Sequence, residues 1–225
     1  EVEEGTQGEV SFDYFPAQQL GKAKDMLSLT QMGVADIGYV GPSYVSDKLP
    51  LSAVAQLPGV FDTSCEGTMA FWELAKSGGY LAENEFGPEK VRALMVLTLS
   101  PYQLLSSKPM SGLSDFKNIK IRVTGGAQEL MVSKLQSTPV QMSAPDTREA
   151  LARNTIDAIV FPYSSVPPYD LAPHLKSSTE GLNLGSFVGI YMISENKFNS
   201  LPESVQQALL EAGEKVTRSA CEAVD

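Results

Sequence analysis

The residues best placed to do chemistry are those of Lys120-Ile121-Arg122-Val123-Thr124-Gly125-Gly126. Alternation over 119–123 predicts a strand with Ile119, Ile121 and Val123 on one face and Lys120, Arg122 and Thr124 on the other. An arginine thus falls near the carboxyl end of a strand, ahead of a glycine turn at Gly125-Gly126 that opens a helix over 127–135. The first N–H groups of a helix lack partners, and its dipole favours an anion. A guanidinium is a planar fork matched to a carboxylate, so the chemistry expected here is the binding of a small organic acid. The competing reading is a solvent-facing arginine beside a structural turn.

Enzyme chemistry finds less support. His174 is the only histidine, so a site of several imidazoles is impossible within the chain, and its place after Pro173 reads as a loop or helix edge. Cys65 and Cys221 form no Cys-x-x-Cys pattern, which argues against a zinc or dithiol site. They could pair in an exported protein if adjacent, but two free thiols are expected. Gly21-Lys22 lacks the earlier glycine and the following Ser/Thr of a phosphate loop, and Gly41-Pro42-Ser43-Tyr44-Val45 lacks the closing glycine of a nucleophile elbow. Carboxylates such as Glu3-Glu4 and Glu83/Glu85 read as solvated surface. No cofactor or metal is called for.

The elements that must position Arg122 alternate between strand and helix. Strands are expected over 9–15, 35–40, 91–99, 119–123, 139–142 and 156–161, and helices over 20–32, 65–81, 127–135, 143–152 and from 200 toward the end. Ser143/Asp146 and Ser200/Glu203 look like capping pairs, and Gly33 like a helix stop. This alternation predicts an α/β fold with largely parallel sheets. Met32-Gly33-Val34-Ala35-Asp36-Ile37 and Arg153-Asn154-Thr155-Ile156-Asp157-Ala158 echo each other as helix end, turn residue, aspartate and strand, hinting at two similar lobes. Aromatics gather where strands should end: Tyr39 and Tyr44, Tyr102, Phe161 and Tyr163, and Phe187 before Tyr191. In open α/β sheets ligands lie at those ends, so these rings could line a partly apolar pocket around an acid.

The 225 residues carry 17 Lys+Arg against 27 Asp+Glu, a net charge of −10, which disfavours a nucleic-acid surface. No apolar run nears the roughly 20 residues of a membrane span.

The ordered motifs Pro16-Ala17-Gln18-Gln19-Leu20-Gly21, Gly33-Val34-Ala35-Asp36-Ile37, Leu57-Pro58-Gly59-Val60-Phe61, Lys120-Ile121-Arg122-Val123, Thr138-Pro139-Val140-Gln141-Met142 and Leu201-Pro202-Glu203-Ser204-Val205-Gln206 give the chain a further identity. It resembles the solute-binding proteins of tripartite ATP-independent periplasmic (TRAP) transporters, the DctP-like family. The resemblance implies a two-lobed periplasmic-binding-protein-like fold with a hinge and a long C-terminal helix. It also implies a monomeric, non-enzymatic periplasmic receptor, its signal peptide removed, that delivers an organic acid to a TRAP membrane permease. Residues 1–99 with 187–225 would form lobe I and 100–186 lobe II. Relatives extend beyond both ends, so lobe I is expected to lack its first strand.

The family's ligand-pairing arginine matches Arg122. Where the sialic-acid-binding branch has a second arginine, an asparagine and a glutamate, this chain has Tyr102, Phe161 and Gly41, which implies a less hydroxylated, aromatic or otherwise apolar monocarboxylate. Tyr39, Tyr163, Gly125 and Phe187 complete the expected site. A sensory ligand-binding domain, or an enzyme on a similar fold, are the alternatives.

Overall fold

The computed structural model describes all 225 residues. Its helices are α1 (Val2–Gly5), α2 (Met26–Gln31), α3 (Ser64–Ala75), α4 (Ala127–Lys134), α5 (Thr147–Ala152), α6 (Glu195–Ser200) and α7 (Glu203–Glu222). Its strands are β1 (Ile37–Val40), β2 (Val91–Thr98), β3 (Gln103–Ser106), β4 (Lys120–Val123), β5 (Thr138–Gln141), β6 (Ala158–Phe161), β7 (Ser177–Ser178) and β8 (Val188–Ser194).

The echoed motifs fold alike. α2 ends with Gly33 N–H donating to the Thr30 carbonyl and Val34 N–H to that of Leu29; α5 ends with Asn154 N–H donating to Leu151 and Thr155 N–H to Ala150. Gly33 and Asn154 both take the left-handed conformation, at φ 74° and 53°, that terminates a helix and that glycine and asparagine tolerate best. Each turn feeds a four-residue strand, β1 or β6, and then a short 3₁₀ segment, Pro42–Val45 or Tyr163–Ser165.

The strands make two sheets, ordered β1-β8-β2 and β5-β4-β6-β3-β7. The first is antiparallel throughout; in the second only β5-β4-β6 run parallel, with β3 antiparallel to β6 and β7 antiparallel to β3. The largely parallel arrangement expected from helix–strand alternation is therefore corrected. β8 follows a return crossing of the chain rather than a helix, so it enters between β1 and β2 in the opposite sense. The chain crosses between sheets at 99–102 and 184–187, two segments held side by side by Leu99 N–H to Phe187 O and Tyr102 N–H to Gly185 O, both 2.9 Å.

One core packs Trp72, Phe71, Leu49 and Phe86 onto Val40, Val96, Ile190 and Met192 of the first sheet. The second sheet is covered on both faces: Leu104, Ile121, Val123 and Val160 face one cluster, Leu105, Ile159 and Phe161 the other. Period-two alternation survives here as a choice between two cores.

Several local expectations shift. Residues 9–15 form no strand, because their backbone finds no sheet edge to pair with; they run instead along the mouth of the cleft between the sheets. The helix expected over 20–32 splits into a 3₁₀ turn, Ala23–Asp25, and α2, while α3 stops at Ala75 ahead of Gly78-Gly79. Ser200 ends α6 and donates to the Lys197 carbonyl instead of capping α7, which begins behind Pro202 without a side-chain cap. Ser143 donates to the Asp146 carboxylate rather than accepting from backbone, and a 3₁₀ turn precedes α5.

Cys65 and Cys221 are joined as a disulfide, which overturns the expectation of free thiols. α3 and α7 pack on each other and on β2, which brings the two Cα atoms to 4.7 Å. The buried stripe of α7 runs Val205, Leu209, Gly213, Thr217, Cys221 at every fourth residue. At Gly213 a Cβ would lie 1.9 Å from the Leu94 carbonyl oxygen. Gly→Ala within a free helix stabilises it; here Gly213→Ala is expected to lower stability by about 1–3 kcal/mol through overpacking. Thermal unfolding decides the matter by sign: an unchanged or higher Tm would show that helix and strand can part without cost.

Candidate functional site

Arg122 sits on β4, on the face shared with Phe161 of β6, and is wholly buried, at 0% exposure. Its Nε donates to the Met142 carbonyl at 3.1 Å, Nη1 to the Val160 carbonyl at 3.3 Å and Nη2 to the Tyr44 hydroxyl at 3.4 Å. Its guanidinium carbon stands 5.0 Å from the centre of the Phe161 ring. None of the chain's ion pairs includes it. A guanidinium has five N–H groups, and the three bonds leave one N–H on each terminal nitrogen unspent, the pair that matches the two oxygens of a carboxylate. The reading of a solvent-facing arginine is set aside by this burial: the second face of the sheet is also a packed face.

Arg122 borders a cleft of about 1560 Å³ between the two sheets. Tyr39, Tyr44, Tyr102, Phe161, Tyr169, Phe187 and Tyr191 border the same space. The rings interlock in pairs: Tyr39 with Tyr191 at 5.2 Å, Tyr44 with Phe187 at 5.4 Å, Tyr102 with Phe161 at 6.2 Å and Phe161 with Tyr169 at 5.9 Å between centroids. Burial pushes the phenol of Tyr102 well up in pKa, only partly opposed by the nearby Arg122 charge, and burial likewise raises Tyr169 and Tyr191. These tyrosines therefore stay protonated, as neutral hydrogen-bond donors. The rim carries two ion pairs, Arg148–Asp170 and Lys197–Asp36.

Of the residues singled out in the sequence, Arg122, Tyr39, Tyr102, Phe161 and Phe187 share this cleft; Tyr163, Gly41 and Gly125 do not border it. Tyr163 lies in a separate hollow of about 410 Å³, its hydroxyl donating to the Thr179 carbonyl and accepting from the Ser178 hydroxyl. Gly41 lies behind the wall: a Cβ there would come within 2.4 Å of the Phe187 ring and 3.0 Å of the Tyr44 ring, so its bareness seats both rings. Gly125 and Gly126 let two parts of the fold meet. A Cβ on Gly125, at φ 122°, would lie 2.5 Å from the Ser43 carbonyl oxygen, and one on Gly126 2.7 Å from the Gln56 side chain. The Gln128 side chain folds back on this turn, its Oε1 accepting from both the N–H and the hydroxyl of Thr124, each at 3.0 Å. Tyr169 and Arg148 also border the cleft, and neither lies at a strand end, where the sequence pattern points.

A guanidinium with N–H groups to spare, beside neutral phenols, has the chemistry to hold an anion. The fold and the cleft together define a two-lobed binding protein. The family model for bacterial extracellular solute-binding proteins of family 7, DctP, matches residues 1–225, and the chain belongs to this family. It is 26% identical to the sialic acid-binding periplasmic protein SiaP of Vibrio cholerae, across 96% of this chain and 66% of that protein. The chain spans about half to two thirds of the length of the curated relatives it matches. Among solved structures it is similar to a TRAP periplasmic solute-binding protein from Bordetella bronchiseptica with bound (R)-mandelate and (S)-mandelate (25% identity, TM-score 0.88, covering 100% of this chain and 71% of that one). A marine metagenome TRAP solute-binding protein with 3-hydroxybenzoate shares the fold (21% identity, TM-score 0.87, covering 99% and 70%).

Proposed function

We infer that the protein is a periplasmic TRAP receptor that seats a small, aromatic or otherwise apolar monocarboxylic acid against Arg122 and delivers it, as a monomer, to the membrane permease. The observation that carries this reading is the buried guanidinium without an acidic partner, faced by aromatic rings. Several kcal/mol of desolvation cost for an unpaired buried charge are offset when a ligand brings the opposite charge. A bidentate carboxylate does so while its hydrocarbon body meets Tyr102 and Phe161, neither of which offers the charged or amide groups that would select a heavily hydroxylated acid. The bound mandelates of the Bordetella bronchiseptica relative support an aryl acid. The disulfide suits an oxidising compartment such as the periplasm.

In this reading residues 1–99 and 187–225 make one lobe and 100–186 the other. They close about the crossings at 99–102 and 184–187, and ligand contacts made only in the closed form shift that equilibrium. Native mass spectrometry of gently purified protein tests the ligand class. A retained monocarboxylic acid that acid washing releases is the expected result; a retained neutral sugar or a cation would overturn it.

A further inference from the structure

We propose that Tyr44 is a second anchor for the bound carboxylate, a hydroxyl donor that one lobe extends across the cleft to the arginine of the other. The proposal rests on the reading of Arg122 as the carboxylate site and adds a residue to it. Tyr44 stands in the 3₁₀ segment Pro42–Val45 that follows β1 of the antiparallel sheet. Its hydroxyl oxygen nevertheless lies among groups of the other sheet: it accepts from Arg122 Nη2 at 3.4 Å and from the Ala144 backbone N–H at 3.2 Å. With the oxygen used twice as an acceptor, the hydroxyl keeps one capacity, its own proton, to donate. Arg122, Tyr44 and Ala144 all border the same cleft. A carboxylate oxygen seated on the free Nη2 N–H is thereby next to a donor from the opposite lobe, and a charge-assisted O–H···O⁻ bond there forms only when the lobes are together.

The ring is held for this purpose from behind. Tyr44 packs against Phe187 at 5.4 Å, and the bare Cα of Gly41 makes room for both rings. Removing the hydroxyl while keeping the ring therefore isolates the donor from the packing. The long 3.4 Å contact to Arg122 is what a shared site looks like before an anion draws both donors onto itself.

Isothermal titration of the full chain with mandelate, benzoate and pyroglutamate, and with mandelamide as the uncharged counterpart, tests the proposal in wild type, Tyr44→Phe and Arg122→Ala. Tyr44→Phe is expected to weaken the acids that bind wild type by at least about 10-fold. It should narrow the preference for mandelate over mandelamide, a charge-dependent loss that a packing role alone would not produce. If Arg122→Ala abolishes binding while Tyr44→Phe matches wild type, the tyrosine has no such role and the carboxylate site stands. If wild type binds none of the acids, the carboxylate reading fails and the proposal falls with it.

Discussion

Arg122→Ala is expected to weaken carboxylate binding by about 30-fold or more, because about 2 kcal/mol or more is lost with a desolvated, charge-assisted pair. The burial makes the effect large. Outside water neither salt nor solvent dilutes the attraction, and the carboxylate of the ligand, left without its cation, would have to be buried unpaired. Arg122→Lys separates charge from shape. The ammonium keeps the positive charge but cannot reach the Met142 and Val160 carbonyls and the ligand in one plane, so it too should lose at least about 10-fold. Unliganded, Arg122→Ala should keep most of its stability, since it sheds the cost of a buried cation along with that cation's hydrogen bonds. Calorimetry and circular dichroism read the two quantities separately. Equal affinity of wild type and Arg122→Ala for every acid that binds would remove Arg122 from the site.

The largest effect on stability is expected at the disulfide. Cys65 and Cys221 are 156 residues apart in sequence, so the bond closes most of the chain into one loop. Cross-links of that span restrict the unfolded chain by about 5 kcal/mol in the loop-entropy account. For a chain of this size that corresponds to a fall in Tm on the order of 10 °C. The bond does not act alone, because the Asp225 carboxylate accepts from the N–H groups of Ser64 and Cys65 at 2.5 and 2.9 Å and stabilises the positive end of α3. The double variant Cys65→Ser/Cys221→Ser, and wild type under a reducing agent, should melt at the same lowered temperature by scanning calorimetry. A wild-type Tm indifferent to reduction would refute the bond's contribution.

The parts of the fold legible in the sequence are those decided within a few residues. Alternation at 119–123 marked β4 and its two faces, and glycine or asparagine marked the ends of α2 and α5 because a left-handed turn is a local demand. The echo between 32–37 and 153–158 was legible for the same reason. Sheet direction was not, since β8 reaches its place between β1 and β2 only after the chain has built the whole second sheet. Nor was the helix-capping role given to Ser200, where Pro202 already sets the start of α7.

The candidate site divides along the same line. By itself the sequence determined that an arginine would stand on a strand beside aromatic strand ends, and the resemblance of its motifs gave the expectation that this arginine meets a carboxylate. Tertiary structure alone decided that both faces of β4 are buried, so that Arg122 is a buried cation and not a surface one. It also made Gly125 a point of close approach, placed Tyr163 in a separate hollow, and brought Tyr44 across to Arg122. The physical reason is distance along the chain: 78 residues separate Tyr44 from Arg122 and 156 separate the paired cysteines, and no local pattern records which remote segments will be packed together.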